Sequence, residues 1–309
     1  MFTKNKEIRS AIVPQIPHNS YIGHTMKKYF VLIFIFLSHT AFSQGTVVED
    51  SLFSPSLNAY SKFNVILPEG YSKGHERYPV LYLLHGLGGD YTNWVKLTDL
   101  VHYASQYRLI IVTPDARNGW YTNSPFVQNA NYENLIVNDV IPGVEKKYRI
   151  IQTKFNRAIA GLSMGGYGAV KFGLKYPGKF FFVGGISPSI QFPGGLEDSA
   201  IVARWSRSST TNLRELFGQT RTDSWNDNDI FFLTEKTTGK SLPYFYLSVG
   251  SQDGIMEIVG LTHDLAAALR KKGVEFEMHE TAGGHDWKFW DKEIKLVLQR
   301  IAEMQGKKK

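Results

Sequence analysis

The chain has 309 residues, 43% of them hydrophobic, and its formal net charge is +7. This composition is ordinary for a globular protein, and the length suits one large α/β domain with a substantial core. The chain contains no cysteine, which excludes a lipoprotein anchor, a cysteine nucleophile, cysteine-ligated zinc and any disulfide.

The sequence of residues 1–43 indicates a mis-assigned leader followed by a signal peptide. From Met26 the sequence has two lysines, an apolar run at Tyr29–Leu37, and small residues at Ala41 and Ser43. This order is typical of a secretory signal peptide. The apolar run is shorter than the ~20 residues that a membrane span needs, so we expect no stable membrane anchor. We predict a true start at Met26, cleavage after Ser43 and export to the periplasm or the medium; a buried N-terminal helix is the alternative.

Loss of this leader changes the charge of the protein. It removes five basic side chains and one acidic one, so the mature chain has a net charge of +3. Part of that charge is the terminal run Lys307–Lys309, which is more typical of a solvated end than of a nucleic-acid-binding patch. We therefore expect no nucleic-acid partner.

Two kinds of apolar pattern predict the strands. The stretch Thr46–Leu67 contains two candidate strands separated by Pro55, and the second alternates apolar and polar residues, which predicts an antiparallel edge. Continuous apolar runs, typical of buried parallel strands, follow at residues 78–86, 108–115, 156–163, 180–188 and 243–253. A last, alternating strand is predicted at residues 274–280.

Helical patterns separate these strands, at Asn93–Tyr107, Tyr132–Tyr148, Gly165–Tyr176, His263–Lys272 and Trp287–Met304. The alternation predicts an α/β domain over residues 44–309, with a mainly parallel sheet and helices on both faces. Residues 189–240 interrupt the pattern, because they are polar and carry one short helical piece around Leu213–Phe217. The segment is too long for a simple loop, so we predict a lid-like insertion.

Ser163 lies in a segment that fits G-x-S-x-G, a motif too short to be specific by itself. Its position adds the specificity, because it ends a predicted buried strand and opens a predicted helix. Gly161, Gly165 and Gly166 permit the tight turn that lifts a hydroxyl above the sheet. The helix directs N–H groups and its positive dipole end toward developing negative charge. We predict that Ser163 is a nucleophile; a turn serine without chemistry is the alternative.

A serine nucleophile needs a histidine base, which in turn needs an orienting carboxylate. In folds with this turn the chain order is serine, acid, histidine. Among the downstream histidines, His279 lies inside a strand and His263 begins a helix. His285 lies on a glycine-rich loop at the same edge of the sheet as Ser163, so we predict that it is the base.

Asp253 follows the strand before that loop, and we predict that it orients His285. Asp286 is adjacent to the histidine in the chain and should point away from it. The other candidate carboxylates have simpler explanations as solvated, capping or structural groups: Asp115, Asp223, Asp227 and Asp229.

The oxyanion formed during acyl transfer needs two N–H donors. One is the backbone N–H of Met164, directly after the nucleophile. The second should come from the glycine-rich turn after an early strand, and we assign it to Leu87. His85 in the same turn is expected to shape the loop.

At these residues the chain resembles the putative-esterase family of α/β hydrolases. That family includes tributyrin esterases, S-formylglutathione hydrolases, feruloyl and acetyl-xylan esterases, and trehalose mycolyltransferases. The resemblance runs from about Ser51 to the C-terminal helix, and it is strongest to tributyrin-type carboxylesterases in "LYLLHGLGGDYTNW", "DARNGWYTN", "AGLSMGGYGAVKF", "GSQD" and "AGGHDWKFW".

The resemblance implies an α/β-hydrolase fold and the same triad and oxyanion residues. It also implies that Trp120 and Tyr121 lie near an acyl pocket; exposed loop aromatics are the alternative. The combined interpretation is an exported serine carboxylesterase that hydrolyses short-chain acyl, acetyl or feruloyl esters without cofactor or metal. Its partner would be a small-molecule or carbohydrate ester.

S-formylglutathione hydrolases work in the cytoplasm, so the predicted export argues against glutathione thioesters as substrates. Two other functions remain open. One is acyl transfer to a sugar acceptor, and the other is carbohydrate binding by a chain that has lost the chemistry.

Overall fold

Eight strands form one sheet in the computed structural model, which describes residues 45–205 and 213–306. The strands are β1 (Thr46–Ser54), β2 (Ala59–Leu67), β3 (Val80–Leu84), β4 (Ile110–Pro114), β5 (Arg157–Leu162), β6 (Phe182–Ile186), β7 (Tyr244–Gly250) and β8 (Phe276–Thr281). Their order is β1-β2-β4-β3-β5-β6-β7-β8. Strands β3 to β8 pair in parallel, whereas β2 pairs antiparallel with β1 and β4. This confirms the predicted parallel sheet with an antiparallel N-terminal edge.

Helices cover both faces of the sheet. They are α1 (Asn93–Leu97), α2 (Leu100–Ala104), α3 (Tyr132–Asn134), α4 (Ile141–Lys147), α5 (Met164–Lys175), α6 (Ser199–Trp205), α7 (Leu213–Phe217), α8 (Asp223–Asn226), α9 (Ile230–Lys236), α10 (Met256–Lys271) and α11 (Trp287–Gly306). A π-helical turn at Leu135–Val140 joins α3 to α4. Short 3₁₀ turns lie at Lys154–Asn156, Gly194–Glu197 and Gly239–Ser241.

Alternate residues of the buried strands face two separate cores. Val80 and Tyr82 of β3 face the core that contains α4, α5, α9 and α10, while Leu81 and Leu83 face the core that contains α2 and α11. Because both faces are covered, these strands carry mostly apolar residues on both faces. That is why they appear in the sequence as continuous apolar runs.

The predicted helix at residues 93–107 is two helices in the structure. Thr98 adopts an extended backbone between them, and its hydroxyl donates to the carbonyl oxygen of Trp94 and accepts the N–H of Leu100. The N–H of Asp99 donates to the carboxylate of Asp291 at 2.8 Å. These bonds replace those of a continuous helix, so the chain turns here.

The insertion at residues 189–240 contains more helices than the one predicted, and it buries apolar side chains in the core although most of its sequence is polar. The predicted piece at Leu213–Phe217 is α7, and α6, α8 and α9 accompany it. Trp225 and Ile230 are fully buried in the core beside α5. Helices of four to seven residues are too short to show a helical period in the sequence.

The predicted leader, with its start at Met26 and cleavage after Ser43, lies outside the described residues. So does the lysine run Lys307–Lys309. Across residues 45–205 and 213–306, no helix is both long and apolar enough to cross a membrane.

Candidate active site

Ser163 lies at the turn between β5 and α5, with φ 52° and ψ −117°. A positive φ costs free energy in a residue other than glycine, so its surroundings must hold it. A Cβ on Gly165 would lie 2.5 Å from the carbonyl oxygen of Leu84, and a Cβ on Gly161 would lie 2.5 Å from the carbonyl carbon of Gly165. The turn therefore closes only with glycine at both positions.

Two hydrogen bonds connect Ser163 with His285 and Asp253. Nε2 of His285 lies 2.9 Å from Oγ of Ser163, and Nδ1 lies 2.8 Å from Oδ2 of Asp253. The Asp253 side chain is fully buried and that of His285 is 17% exposed. Because a carboxylate only accepts, Nδ1 carries the proton and Nε2 accepts the hydroxyl proton of Ser163. The structure thus brings together the three side chains predicted as nucleophile, base and acid.

A close approach of two loops places Asp253 beside His285. Asp253 follows β7 and His285 follows β8, which is the neighbouring strand. A Cβ on Gly250 would lie 2.3 Å from the carbonyl oxygen of Gly283, so glycine allows the two loops to touch. Oδ1 of Asp253 accepts the N–H of Ile255 at 2.9 Å, and this bond leaves Oδ2 for the imidazole.

The other downstream histidines take part in different contacts. His263 pairs with Glu280 at 2.7 Å on the surface. His279 stacks on Tyr246, with ring centroids 4.8 Å apart. Their surroundings account for both rings as structural groups.

The competing carboxylates also have structural contacts. Asp229 caps α9 through its side chain, and Asp286 accepts the N–H of Phe289 in the first turn of α11 at 2.9 Å. Asp115 accepts the N–H of Arg117 at 2.8 Å. Two further carboxylates are exposed: Asp223 and Asp227.

The predicted oxyanion donors both belong to segments next to Ser163. Met164 is the first residue of α5, and Leu87 shares a cavity with Ser163. No acceptor in the described part of the chain receives the backbone N–H of Leu87 or Met164. Both N–H groups are therefore available to an oxyanion.

His85 shapes the loop that carries Leu87. The N–H of Ala116 donates to its Nε2 at 3.0 Å, so the ring proton lies on Nδ1, which donates to the carbonyl oxygen of Gly86 at 2.8 Å. Gly88, with φ +73°, donates its N–H to Oδ1 of Asn118 at 2.8 Å. These contacts connect the loop to Ala116 and Asn118.

Trp120 and Tyr121 are fully buried, and both have a positive φ. The hydroxyl of Tyr121 donates to the carbonyl oxygen of His85 at 2.9 Å, and Trp120 packs edge-on against Phe192. The alternative of exposed loop aromatics is therefore wrong. Through this bond Tyr121 supports the oxyanion loop, Gly86–Gly89, directly after His85, a contact that the sequence pattern did not predict.

The chain matches the family described as Putative esterase over residues 54–301. That span contains Ser163, Asp253 and His285. The chain belongs to this family.

Individual relatives agree with this assignment. An acetyl esterase of Caldicellulosiruptor saccharolyticus is 30% identical over 234 residues, which cover 74% of this chain and 85% of the relative. The solved structure of a ferulic acid esterase is 25% identical with a TM-score of 0.70, covering 85% of this chain and 100% of its own. The fluorophosphonate-binding serine hydrolase F of Staphylococcus aureus, at 24% identity, has a TM-score of 0.73 and covers 84% of this chain and 99% of its own. The protein is a serine ester hydrolase of the α/β-hydrolase fold.

A cavity of about 470 Å³ opens beside Ser163 in this esterase. The oxyanion loop and two tryptophans contribute to its lining. It is lined by Gly86, Leu87, Gly88, Gly89, Asn93, Leu97, Leu162, Ser163, Ile255, His285, Trp287 and Trp290. The cavity gives a substrate access to both Ser163 and His285.

Three residues of the esterase site were missed by the sequence analysis. Trp290 packs edge-on against His285, with centroids 5.0 Å apart, and Trp287 packs in the same way against Trp290. Ser189 is fully buried, and its Oγ lies 3.2 Å from Oγ of Ser163. The tryptophans follow His285 in "GGHDWKFW", so proximity in sequence was a usable signal for them. Ser189 gave no such signal.

A buried ionic cluster underlies the site. Nζ of Lys171, on α5, lies 3.0 Å from Glu133, 2.6 Å from the carbonyl oxygen of Tyr121 and 2.8 Å from Oδ1 of Asn228. Burial lowers the pKa of Lys171 to about 8, against the opposing effect of the Glu133 charge. Burial alone would raise the pKa of Glu133, but the ammonium groups of Lys171 and Lys175 lower it to about 2. The cluster ties α5 to the segment that supports the oxyanion loop.

Proposed function

We propose that this esterase is an exported serine carboxylesterase that hydrolyses short-chain acyl, acetyl or feruloyl esters. The observation that carries the proposal is the continuous hydrogen-bond chain from Oγ of Ser163 through His285 to Asp253. A nucleophile, a base and an orienting acid within hydrogen-bond reach are the groups that ester hydrolysis needs.

Acylation begins when Nε2 of His285 takes the hydroxyl proton as Oγ of Ser163 attacks the ester carbonyl carbon. Asp253 keeps the proton on Nδ1 and stabilises the imidazolium that forms. The N–H groups of Leu87 and Met164 bind the oxyanion of the tetrahedral intermediate. Collapse breaks the bond to the alcohol oxygen, which receives the proton from Nε2, and leaves Ser163 acylated.

Deacylation repeats these steps with water. Nε2 of His285 takes a proton from the water as its oxygen attacks the acyl carbon. The second tetrahedral intermediate then expels Oγ of Ser163, which recovers its proton from His285. The acid leaves and the resting site is restored.

The size of the cavity supports a small acyl group. Its volume of about 470 Å³ lies in the lower half of the roughly 300–1,000 Å³ of small-molecule sites. This space suits a short acyl chain or one aromatic ring better than a long lipid chain. The names of an acetyl esterase relative and of a ferulic acid esterase with this fold point to the same substrates.

Export is proposed from the signal-peptide pattern that begins at Met26. The test is N-terminal sequencing of the protein recovered from the periplasm or medium of a bacterial expression host. A mature terminus at or near Gln44 supports export, and a cytoplasmic protein whose terminus is still Met1 or Met26 contradicts it.

The catalytic proposal is tested with Ser163→Ala. We expect loss of p-nitrophenyl acetate hydrolysis and loss of labelling by a fluorophosphonate probe. Ser248→Ala is the matched control, because Ser248 is also buried, in β7, and its hydroxyl has no hydrogen-bond partner among the described residues. Activity retained by Ser163→Ala would overturn the assignment. A wild-type protein that the probe does not label would favour a non-catalytic carbohydrate-binding protein.

The substrate class is tested by comparing kcat/KM for acetyl, butyryl, octanoyl and feruloyl esters. The highest kcat/KM for the acetyl, butyryl or feruloyl ester would support the proposed substrate class, and the highest value for the octanoyl ester would contradict it. Addition of a sugar acceptor separates hydrolysis from acyl transfer, because transfer would divert the product from free acid to a new ester.

A further inference from the structure

A second serine lies against the nucleophile. Oγ of Ser189 is 3.2 Å from Oγ of Ser163, and Ser189 is fully buried. Two main-chain hydrogen bonds between Ser163 and the end of β6 and the segment after it keep Ser189 in this position. The N–H of Ser163 donates to the carbonyl oxygen of Ile186 at 2.9 Å, and the N–H of Ser189 donates to the carbonyl oxygen of Ser163 at 3.1 Å.

The direction of the bond between the two hydroxyls follows from counting protons. Nδ1 of His285 donates to Asp253, so Nε2 has only a lone pair to offer. The single hydroxyl proton of Ser163 therefore goes to Nε2. Oγ of Ser163 has no second proton to give, so Ser189 is the donor and Ser163 the acceptor.

We infer that Ser189 is a catalytic residue whose hydroxyl stabilises the negative charge that develops on Oγ of Ser163. This inference rests on the proposed function of Ser163 as nucleophile. As the proton of Ser163 moves to His285, charge builds on Oγ before its bond to the acyl carbon is complete. A fixed O–H donor at this atom acts as the backbone donors act on the carbonyl oxygen.

The same hydroxyl acts in both halves of the reaction. In acylation the O–H bond of Ser163 breaks and the Oγ–carbon bond forms. In deacylation the Oγ–carbon bond breaks, the electron pair returns to Oγ, and His285 returns the proton. Charge on Oγ is transient in each half, and the resting distance of 3.2 Å leaves room for the bond to shorten as that charge develops.

The test is Ser189→Ala, which removes the hydroxyl and keeps both main-chain hydrogen bonds around Ser163. Rates are measured per active site titrated with the fluorophosphonate probe, so that a misfolded fraction does not enter. We expect kcat for p-nitrophenyl acetate and the rate constant of fluorophosphonate inactivation to fall about 10- to 100-fold, with KM within about twofold of wild type. Ser248→Ala should keep wild-type rates.

Ser189→Cys serves as a second variant, because it nearly preserves the volume and carries a weaker donor. Its rates should fall between those of wild type and Ser189→Ala. Per-site rates within about twofold of wild type in Ser189→Ala would overturn the inference, even if the melting temperature falls, because only a packing role would remain. Wild-type rates in Ser189→Cys would also overturn it. Failure of the wild-type enzyme to react with the probe would instead overturn the proposed function of Ser163.

Discussion

Nδ1 of His285 lies 2.8 Å from Oδ2 of Asp253, a residue of the preceding loop. The carboxylate next to it in the chain, that of Asp286, accepts the N–H of Phe289 and caps α11 instead. The two acids thus have different tasks within one small region. The acid that contacts the imidazole is the one from the neighbouring loop, as its distance in the chain predicted, and not the adjacent one.

Asp253→Asn should lower kcat by about 10³- to 10⁴-fold with little change in KM. The amide can donate to Nδ1 of His285, which favours the imidazole tautomer that carries its proton on Nε2. Nε2 then cannot accept the hydroxyl proton of Ser163. Steady-state kinetics with p-nitrophenyl acetate measures the effect. The matched variant Asp286→Asn should keep kcat and lose only about 1 kcal/mol of stability or less, because an asparagine still caps a helix. Equal losses in both variants would contradict the assignment.

The sheet and the triad could be predicted because their signals are local and strong. Strands buried on both faces produce continuous apolar runs, and the glycines around Ser163 mark a turn that tolerates no Cβ. Chain order and the shared edge of a parallel sheet were then enough to choose His285 and Asp253.

The missed features depend on contacts between distant segments. Ser189 meets Ser163 only because β5 and β6 are neighbours, and nothing in "SPS" marks the second serine. The hydrogen bond from the Tyr121 hydroxyl to the carbonyl oxygen of His85 joins residues 36 positions apart, and no local pattern marks it. The break at Thr98 arises from hydrogen bonds of one hydroxyl, which an apolar period does not report.

Tyr121→Phe should reduce kcat about 5- to 10-fold. Burial raises the pKa of Tyr121 well above its usual value, so its hydroxyl stays protonated as the donor to His85. Its removal leaves a buried carbonyl unsatisfied, at a cost of about 1–3 kcal/mol, and loosens the loop that carries Leu87. Chemical denaturation and per-site kinetics measure the two effects separately.

Tyr82→Phe provides the control for that variant. Tyr82 is equally buried, and its hydroxyl donates to the carbonyl oxygen of Ile141, away from the loop. Tyr82→Phe should lose comparable stability but keep the wild-type per-site kcat. A wild-type per-site rate in Tyr121→Phe as well would show that the bond serves stability alone.

Glu133 should make stability depend on acid pH. Its folded pKa of about 2 lies below the ordinary value of 4.5, so its contribution is complete above pH 4.5 and is lost as the pH falls toward 2. Glu133→Gln should lower the unfolding free energy at pH 7 by about 3 kcal/mol or more, since Lys171 loses a buried partner. Its stability should also change less between pH 4.5 and 2.

Urea unfolding at a series of pH values measures this dependence. Glu69→Gln, at an exposed carboxylate, is the control and should behave as wild type. A Glu133→Gln variant that retains the full acid dependence would show that other carboxylates cause it.

Trp287 should select for the size of the substrate. Its ring lies edge-on to both Trp94 and Trp290, at 5.5 and 5.1 Å, and it is half-buried at the wall of the cavity beside Ser163. A large apolar group in that cavity would lose contact area if the ring were removed, whereas an acetyl group would lose little. Trp287→Ala should therefore raise KM for methyl ferulate by about 10-fold, which corresponds to about 1.4 kcal/mol, and leave kcat/KM for methyl acetate within about threefold of wild type.

Trp287→Phe keeps part of the ring area and should give an intermediate KM for methyl ferulate. Trp290 packs on His285, so an alternative effect of losing Trp287 is a shift of Trp290 that leaves the His285 imidazole less firmly held. That effect would lower kcat for both esters equally, since both depend on the same imidazole. An equal fall in kcat with unchanged KM would therefore contradict a role in substrate selection and assign Trp287 to the support of Trp290.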